Sequence, residues 1–252
     1  IFFEHKRNHF LKVIHSKASK LCFAGMNPIF MKIAEVIKSR KTQKVLANSP
    51  WEIHKTPTEL HDLINDLLDL VEYAPYYKKC HKSYSDPQAE LNSCVPWRFY
   101  ILDTAKCRAL LEFLEIQEIK SGKISNMLAA ADALVLVNWL PHPHEAHTME
   151  NLEAEPFPYL GNKENMDHIA SCSAAIQNLL IGATAKNIPS YWSSGGKLRD
   201  PLLRNHLGIP MHEILLGAIF LFPEDSATKG ADIKPGQFRD QGKDRETWSK
   251  WL

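Results

Sequence analysis

The chain has 252 residues, 44% of them hydrophobic, which is enough for a sizeable core in one large domain or two small ones. Its 30 Lys and Arg against 29 Asp and Glu give no general electrostatic case for nucleic acid or an anionic membrane, so any anion site must be local. No run approaches the roughly 18 consecutive apolar residues of a membrane-crossing helix, and five widely spaced cysteines with no C-x-x-C pair point to free thiols in a reducing compartment. The expectation is a soluble, cytoplasmic protein with no nucleic-acid or membrane partner.

Residues 1–25 are basic and aromatic but lack the apolar stretch and small-residue cleavage site of a signal peptide. Met26 opens a more ordinary beginning, so residues 1–25 are expected to be an extension outside a core domain spanning 26–252. Apolar residues at Phe30, Ile33, Ala34 and Ile37 predict a helix over 30–38. A polar, basic stretch follows. Thr58 is expected to cap a second helix whose stripe is Leu60, Leu63, Ile64, Leu67, Leu68 and Val71, with Pro75 beyond its end. Residues 76–95 are polar and turn-rich and read as a long loop.

The segment WRFYILD (97–103) predicts a strand, AKCRALLEFLEIQEI a helix, and ALVLVNWL (133–140) a buried strand. Residues 141–165 read as another long loop, 166–187 as a largely apolar helix, and 212–223 as a central strand ended by Pro223. The tail is basic and ends in a small amphipathic piece. This order predicts an α+β fold with one sheet flanked by helices.

The stretch SYWSSGGKLRD (190–200) is the most loop-like part of the second half, and its glycine pair allows backbone N–H groups to approach a ligand closely. A Walker phosphate loop fails, because Tyr191 stands where its first glycine belongs and Leu198 follows Lys197. The dinucleotide fingerprint G-x-G-x-x-G is absent. Ser194 and Lys197 form S-x-x-K, but the companion motifs of penicillin-binding enzymes are missing. His142, His144, Glu145 and His147 crowd one loop, where solvated histidines compete with a zinc site; Cys80, His81 and Cys94 form a weaker metal candidate.

Several separated segments, EVIKSRKTQKV, YAP, VPWRFYILD, NMLAAADALVLV, AAIQNLLIGATAKNIPSYWSSGG and LRNHLGIPMHEILLGAIFLFP, together resemble the FMN-dependent nitroreductase family. The resemblance implies an α+β sandwich with a central, mostly antiparallel sheet, an intertwined homodimer, and FMN in each of two clefts at the subunit interface. The family's R-R-S-x-R/K stretch stands here as Arg40, Lys41, Thr42, Gln43 and Lys44. By that resemblance Arg40 and Thr42 hold the FMN phosphate and ribityl chain, with Lys41 beside them, and Lys44 approaches the pyrimidine edge. Arginine and hydroxyl donors suit a phosphate through charge-assisted hydrogen bonds.

Lys123 and Asn126 fall where the family places polar groups at the ribityl and O2 side of the flavin, and Asn126 replaces a lysine of some members. A cation or donor there stabilises negative charge on the reduced ring. Arg239 matches an arginine that grips the phosphate, while Gln237 stands where a lysine is common. The segment of Ser193, Ser194, Gly195 and Gly196 matches the backbone that meets flavin N5, with Gly195 and its neighbours supplying the donor.

The family's A-P-S-x-x-N-x-Q-P-W is interrupted here, because twenty residues separate Ala74-Pro75 from Pro96-Trp97. That insertion is expected to reshape the substrate side, with Tyr76, Tyr77 and Trp192 as candidate pocket walls. The implied activity is ping-pong transfer of hydride from NADH or NADPH, through flavin N5, to an electron-poor acceptor such as a nitroaromatic or quinone. No side chain is expected as nucleophile and no metal as cofactor. The alternative is a flavin-binding or flavin-sequestering protein with little turnover.

Overall fold

The computed structural model of the chain describes residues 33–142, 161–238, 242 and 245–252. The chain divides into two units, 1–35 and 36–252. In chain order the elements are α1 (Ile33–Ser39), β1 (Gln43–Leu46), α2 (Pro57–Val71), β2 (Trp97–Leu102), α3 (Thr104–Ile116), α4 (Lys123–Ala130), β3 (Ala133–Trp139), α5 (Lys163–Ala185), β4 (Ser190–Ser193), α6 (Pro201–His206), β5 (Ile214–Leu221) and β6 (Asp232–Pro235). Four strands form an antiparallel sheet in the order β2-β3-β5-β4, and β1 pairs antiparallel with β6 in a separate two-stranded sheet. The class is α+β, as the order of elements predicts.

Alternation along β3 builds a core on each face of the sheet. Leu134 and Leu136 pack with Leu110 and Leu114 of α3 and Met127 of α4. Ala133, Val135 and Val137 pack on the other face with Leu67 of α2 and Ile176 and Leu179 of α5. With both faces covered, every residue of β3 is buried, which is why its sequence is a continuous apolar run. Each fully buried Leu or Ile contributes about 1.5–3 kcal/mol.

Several element ends move from their expected places for local reasons. The cap of α2 is Thr56 rather than Thr58: its hydroxyl accepts from the Glu59 N–H, Glu59 reaches back to the Thr56 N–H at 2.8 Å, and Pro57 occupies the first turn. Asp103 leaves β2 to cap α3, accepting from the Lys106 N–H at 2.7 Å. Helix α5 starts at Lys163, because Asn162 accepts from the Asn165 N–H at 2.8 Å. Strand β4 takes the first four residues of the stretch read as loop, so only Ser194 onward turns. The pair β1 and β6 and the short helices α4 and α6 are additions that the sequence pattern did not predict.

The 76–95 segment holds a 3₁₀ turn at Lys82–Tyr84 and is bonded into the body. The Tyr84 hydroxyl donates to Pro141 O at 3.0 Å and to His212 O at 3.3 Å. A buried polar group ties the strands together: Tyr100 of β2 and Asn138 of β3 each donate to the Glu213 carboxylate at 2.9 Å. All four described cysteines are free thiols, and burial pushes Cys107 up to about 12.

Candidate functional site

The basic stretch after α1 is carried by β1. Val45 is fully buried in the core beneath α4, and Lys44 extends over the Tyr191 ring of β4, its ammonium 4.5 Å from the ring centre. That distance is a cation–π contact. At the end of β1, the Ala47 N–H donates to Asn126 O at 3.1 Å and Asn126 Nδ2 donates to Ala47 O at 2.9 Å. This two-way bond fixes α4 against β1. The other end of α4 is held by Arg108, whose guanidinium donates to Leu128 O and, at 3.2 Å, to Ala131 O, satisfying carbonyls that the helix end leaves open.

At the start of β1, Thr42 O accepts from the Gly236 N–H at 3.1 Å. The ladder from Gln43 opposite Pro235 to Leu46 opposite Asp232 thus brings the segment preceding Arg239 beside Thr42. Arg239 itself lies outside the described residues.

The glycine pair follows β4. Gly195 has φ +103° and Gly196 φ +49°, conformations that disfavour a side chain. A Cβ at Gly195 would also stand 2.6 Å from Leu215 Cδ2, so the loop is pressed onto β5. A bulge in β5, where the register slips between Val137 and Asn138 of its partner, keeps Leu215 on the α4 face of the sheet. A Cβ at Gly196 would lie 3.4 Å from Ile124 Cδ1 of α4. The fold therefore sets the glycine loop, the first turn of α4 and β1 next to one another.

Beside this junction is a cavity of about 450 Å³ whose walls include Leu46, Ala47, Trp51, Lys123, Asn126 and Lys229. Lys229 pairs with Asp225 at 3.1 Å and lies 5.3 Å from the Trp51 ring centre. Lys123 and Asn126 face this cavity, while Arg40, Lys41, Thr42, Lys44 and residues 193–196 stand outside its lining. Two neighbours of the loop were not singled out in the sequence. Tyr191 carries the Lys44 contact, and Arg199 donates from Nε to Ser194 O at 2.7 Å. Aromatic alternation in YW could have flagged Tyr191; nothing local flags Arg199.

The candidate pocket walls take other positions. Trp192 packs on the α5 face, over Gly217, whose missing side chain makes room for the indole. Tyr76 meets Trp97 edge to face at 5.8 Å, and Tyr77 is exposed. None of the three lines the cavity, and alternation along β4 sends Trp192 to the opposite face from Tyr191. Lys197 of the S-x-x-K match pairs with Asp200 at 3.3 Å. Among the described residues no group of three or more His, Cys, Asp or Glu is placed to hold a metal. The His142 ring meets the His81 ring edge to face at 5.2 Å, and His144, Glu145 and His147 lie outside the described residues. No described helix is long and apolar enough to cross a membrane.

The residues present fit an anionic cofactor. Arg40, Lys41 and Thr42 put basic and hydroxyl groups at one end of β1, Lys44 adds a cation on β1 and Lys123 one on the neighbouring first turn of α4, while the glycine loop is packed against Leu215 and Arg199.

Residues 90–221, more than half of the chain, match the Nitroreductase family model. The matched span contains Lys123, Asn126 and residues 193–196, and leaves residues 40–44 and Arg239 outside. Comparison with curated protein sequences gave no match. A nitroreductase-like family protein from Bacillus cereus is similar in structure at 19% identity, with a TM-score of 0.51 over 79% of this chain and 88% of that one. A nitroreductase with bound FMN from Bacteroides fragilis is 21% identical, with a TM-score of 0.45 over 76% of this chain and 88% of that one. The first of these likenesses shows the fold, and the matched span carries the sequence relationship: the chain belongs to the nitroreductase family.

Proposed function

We propose that the protein is an FMN-dependent oxidoreductase, drawing on NADH or NADPH and reducing an electron-poor acceptor such as a nitroaromatic or quinone. The observation that carries this reading is the meeting of β1, the first turn of α4 and the glycine loop around Lys44, Asn126 and Gly195. Family membership supports it. Bound there, FMN would supply a two-electron carrier that accepts hydride at N5 and passes it on.

The chain's own part is binding and electrostatics. Arg40 and Thr42, with Lys41 beside them, hold the phosphate and ribityl chain, and Arg239 grips the phosphate; Lys44 approaches the pyrimidine edge; Lys123 and Asn126 stand at the ribityl and O2 side, Asn126 in place of a lysine. Residues 193–196 supply backbone donors, since a pre-set N–H needs no reorganisation when charge develops. A second copy of the chain completes each cleft in a homodimer. Residues 26–252 form the FMN-binding domain and 1–25 an extension, so a chain lacking 1–25 keeps its fold and its flavin.

The test is the absorption spectrum of the purified protein before and after anaerobic NADH or NADPH. A yellow protein that is bleached supports the reading. A yellow protein that is not bleached supports a flavin-sequestering role instead, and a colourless protein that takes up no FMN defeats both.

A further inference from the structure

Two consecutive peptide groups at the glycine pair are anchored by their oxygens. Arg199 Nε donates to Ser194 O at 2.7 Å, and the Leu198 N–H donates to Gly195 O at 2.9 Å. In a trans peptide the C=O and N–H point in opposite directions. Anchoring Ser194 O therefore sets where the Gly195 N–H points. The two anchors differ in kind, because the Leu198 bond is backbone within a 3₁₀ turn, whereas the Ser194 bond depends on one side chain.

Arg199 is built closely onto the loop. Its stem lies over Gly195, where a Cβ would be 3.4 Å from Arg199 Cγ and 3.5 Å from Nε. Burial pushes its guanidinium below the ordinary arginine range. The Gly195 N–H donates to Ser193 Oγ at 3.2 Å, the long end of the N–H···O range. A better acceptor can displace that hydroxyl without moving the peptide.

We infer that Arg199 is a positioning residue for the flavin's reactive edge: by holding Ser194 O it keeps the Ser194–Gly195 peptide turned so that the Gly195 N–H is available to FMN N5. The inference rests on the flavin reading above. Without the guanidinium the Ser194 carbonyl loses its partner, and Gly195, having no Cβ, leaves the Ser194–Gly195 peptide free to turn about its φ.

The test compares full-length wild type with Arg199→Met, the milder Arg199→Gln, and Arg199→Lys, which restores a cationic donor. The readouts are the Gly195 amide ¹H–¹⁵N signal without FMN, FMN affinity, and the midpoint potential of the bound flavin. Arg199→Met and Arg199→Gln are expected to shift the Gly195 signal, weaken FMN binding about tenfold, the low end of a charge-assisted hydrogen bond, and move the potential. Arg199→Lys recovers most of each effect. If Arg199→Met does not fold, Arg199→Gln decides. An unmoved Gly195 signal overturns the inference, as does a moved signal with unchanged affinity and potential. Should the wild type take up no FMN, the functional reading fails by that result alone, while the Gly195 signal still reports separately whether Arg199 turns the peptide.

Discussion

Arg98 Nη2 donates to the carbonyl oxygen of Tyr84 at 2.8 Å, joining β2 to the inserted 76–95 segment. The same nitrogen reaches Ser93 O at 3.0 Å, and Nη1 donates to Trp97 O at 2.8 Å and Val95 O at 3.2 Å. The side chain is only 5% exposed, so four carbonyls surround a buried cation. Its planar fork suits that task in a way an ammonium does not. Arg98→Met leaves those oxygens short of a donor and is expected to destabilise the protein by about 3 kcal/mol. Urea unfolding of the two proteins measures it, and a loss below about 1 kcal/mol would show that water replaces the clamp.

Gly217→Ala tests the packing under β4. The added methyl collides with the Trp192 indole, a rigid ring in a partly buried place against the α5 face. Overpacking of this kind costs about 1–3 kcal/mol. The expected result is a lower midpoint of thermal unfolding, with Gly217→Ala combined with Trp192→Leu recovering part of the loss.

Arg40→Ala addresses the phosphate end of the proposed site. Removal of a phosphate-paired cation is expected to weaken FMN binding by about tenfold or more, measured by flavin fluorescence titration. Unchanged affinity would show that residues 40–44 do not carry the phosphate.

His212 gives the stability a pH dependence. Its ring lies 5.4 Å from the Tyr84 ring, and burial, opposed by Glu213 and aided by Arg204, holds its pKa below the ordinary value. In the unfolded chain the same imidazole takes up a proton near pH 6.5. The unfolded state thus binds more protons between that pH and the lower native value, and stability falls as pH drops through this window. The contribution is fully present above about pH 6.5. His212→Gln is expected to flatten the change in unfolding free energy between about pH 7.5 and 5.5, and an unaltered slope would place the titration elsewhere.

Burial on both faces wrote β3 into the sequence as an apolar run, and the repeat of Leu60, Ile64, Leu67 and Val71 did the same for α2. The cap of α2 was also legible, in the spacing of Thr56 and Glu59, though Thr58 competed for it in a threonine-rich turn. Strands β1 and β6 were not legible. QKVL and DIKP are four residues each, too short to show alternation, and they pair with about three quarters of the chain between them.

By itself the sequence determined the α+β class, the two-sided burial of the central strands and a set of candidate residues in separate segments, because periodicity and local chemistry are properties of neighbouring residues. Only the tertiary structure decided which of them meet. It put Lys44 on Tyr191 rather than Trp192, tied Asn126 to Ala47, pressed Gly195 onto Leu215, and set Arg199 on the Ser194 carbonyl. These contacts depend on strand register, a bulge and the chain's return over long loops. Such choices are made by packing free energy summed over the whole core, and no short window of sequence contains it.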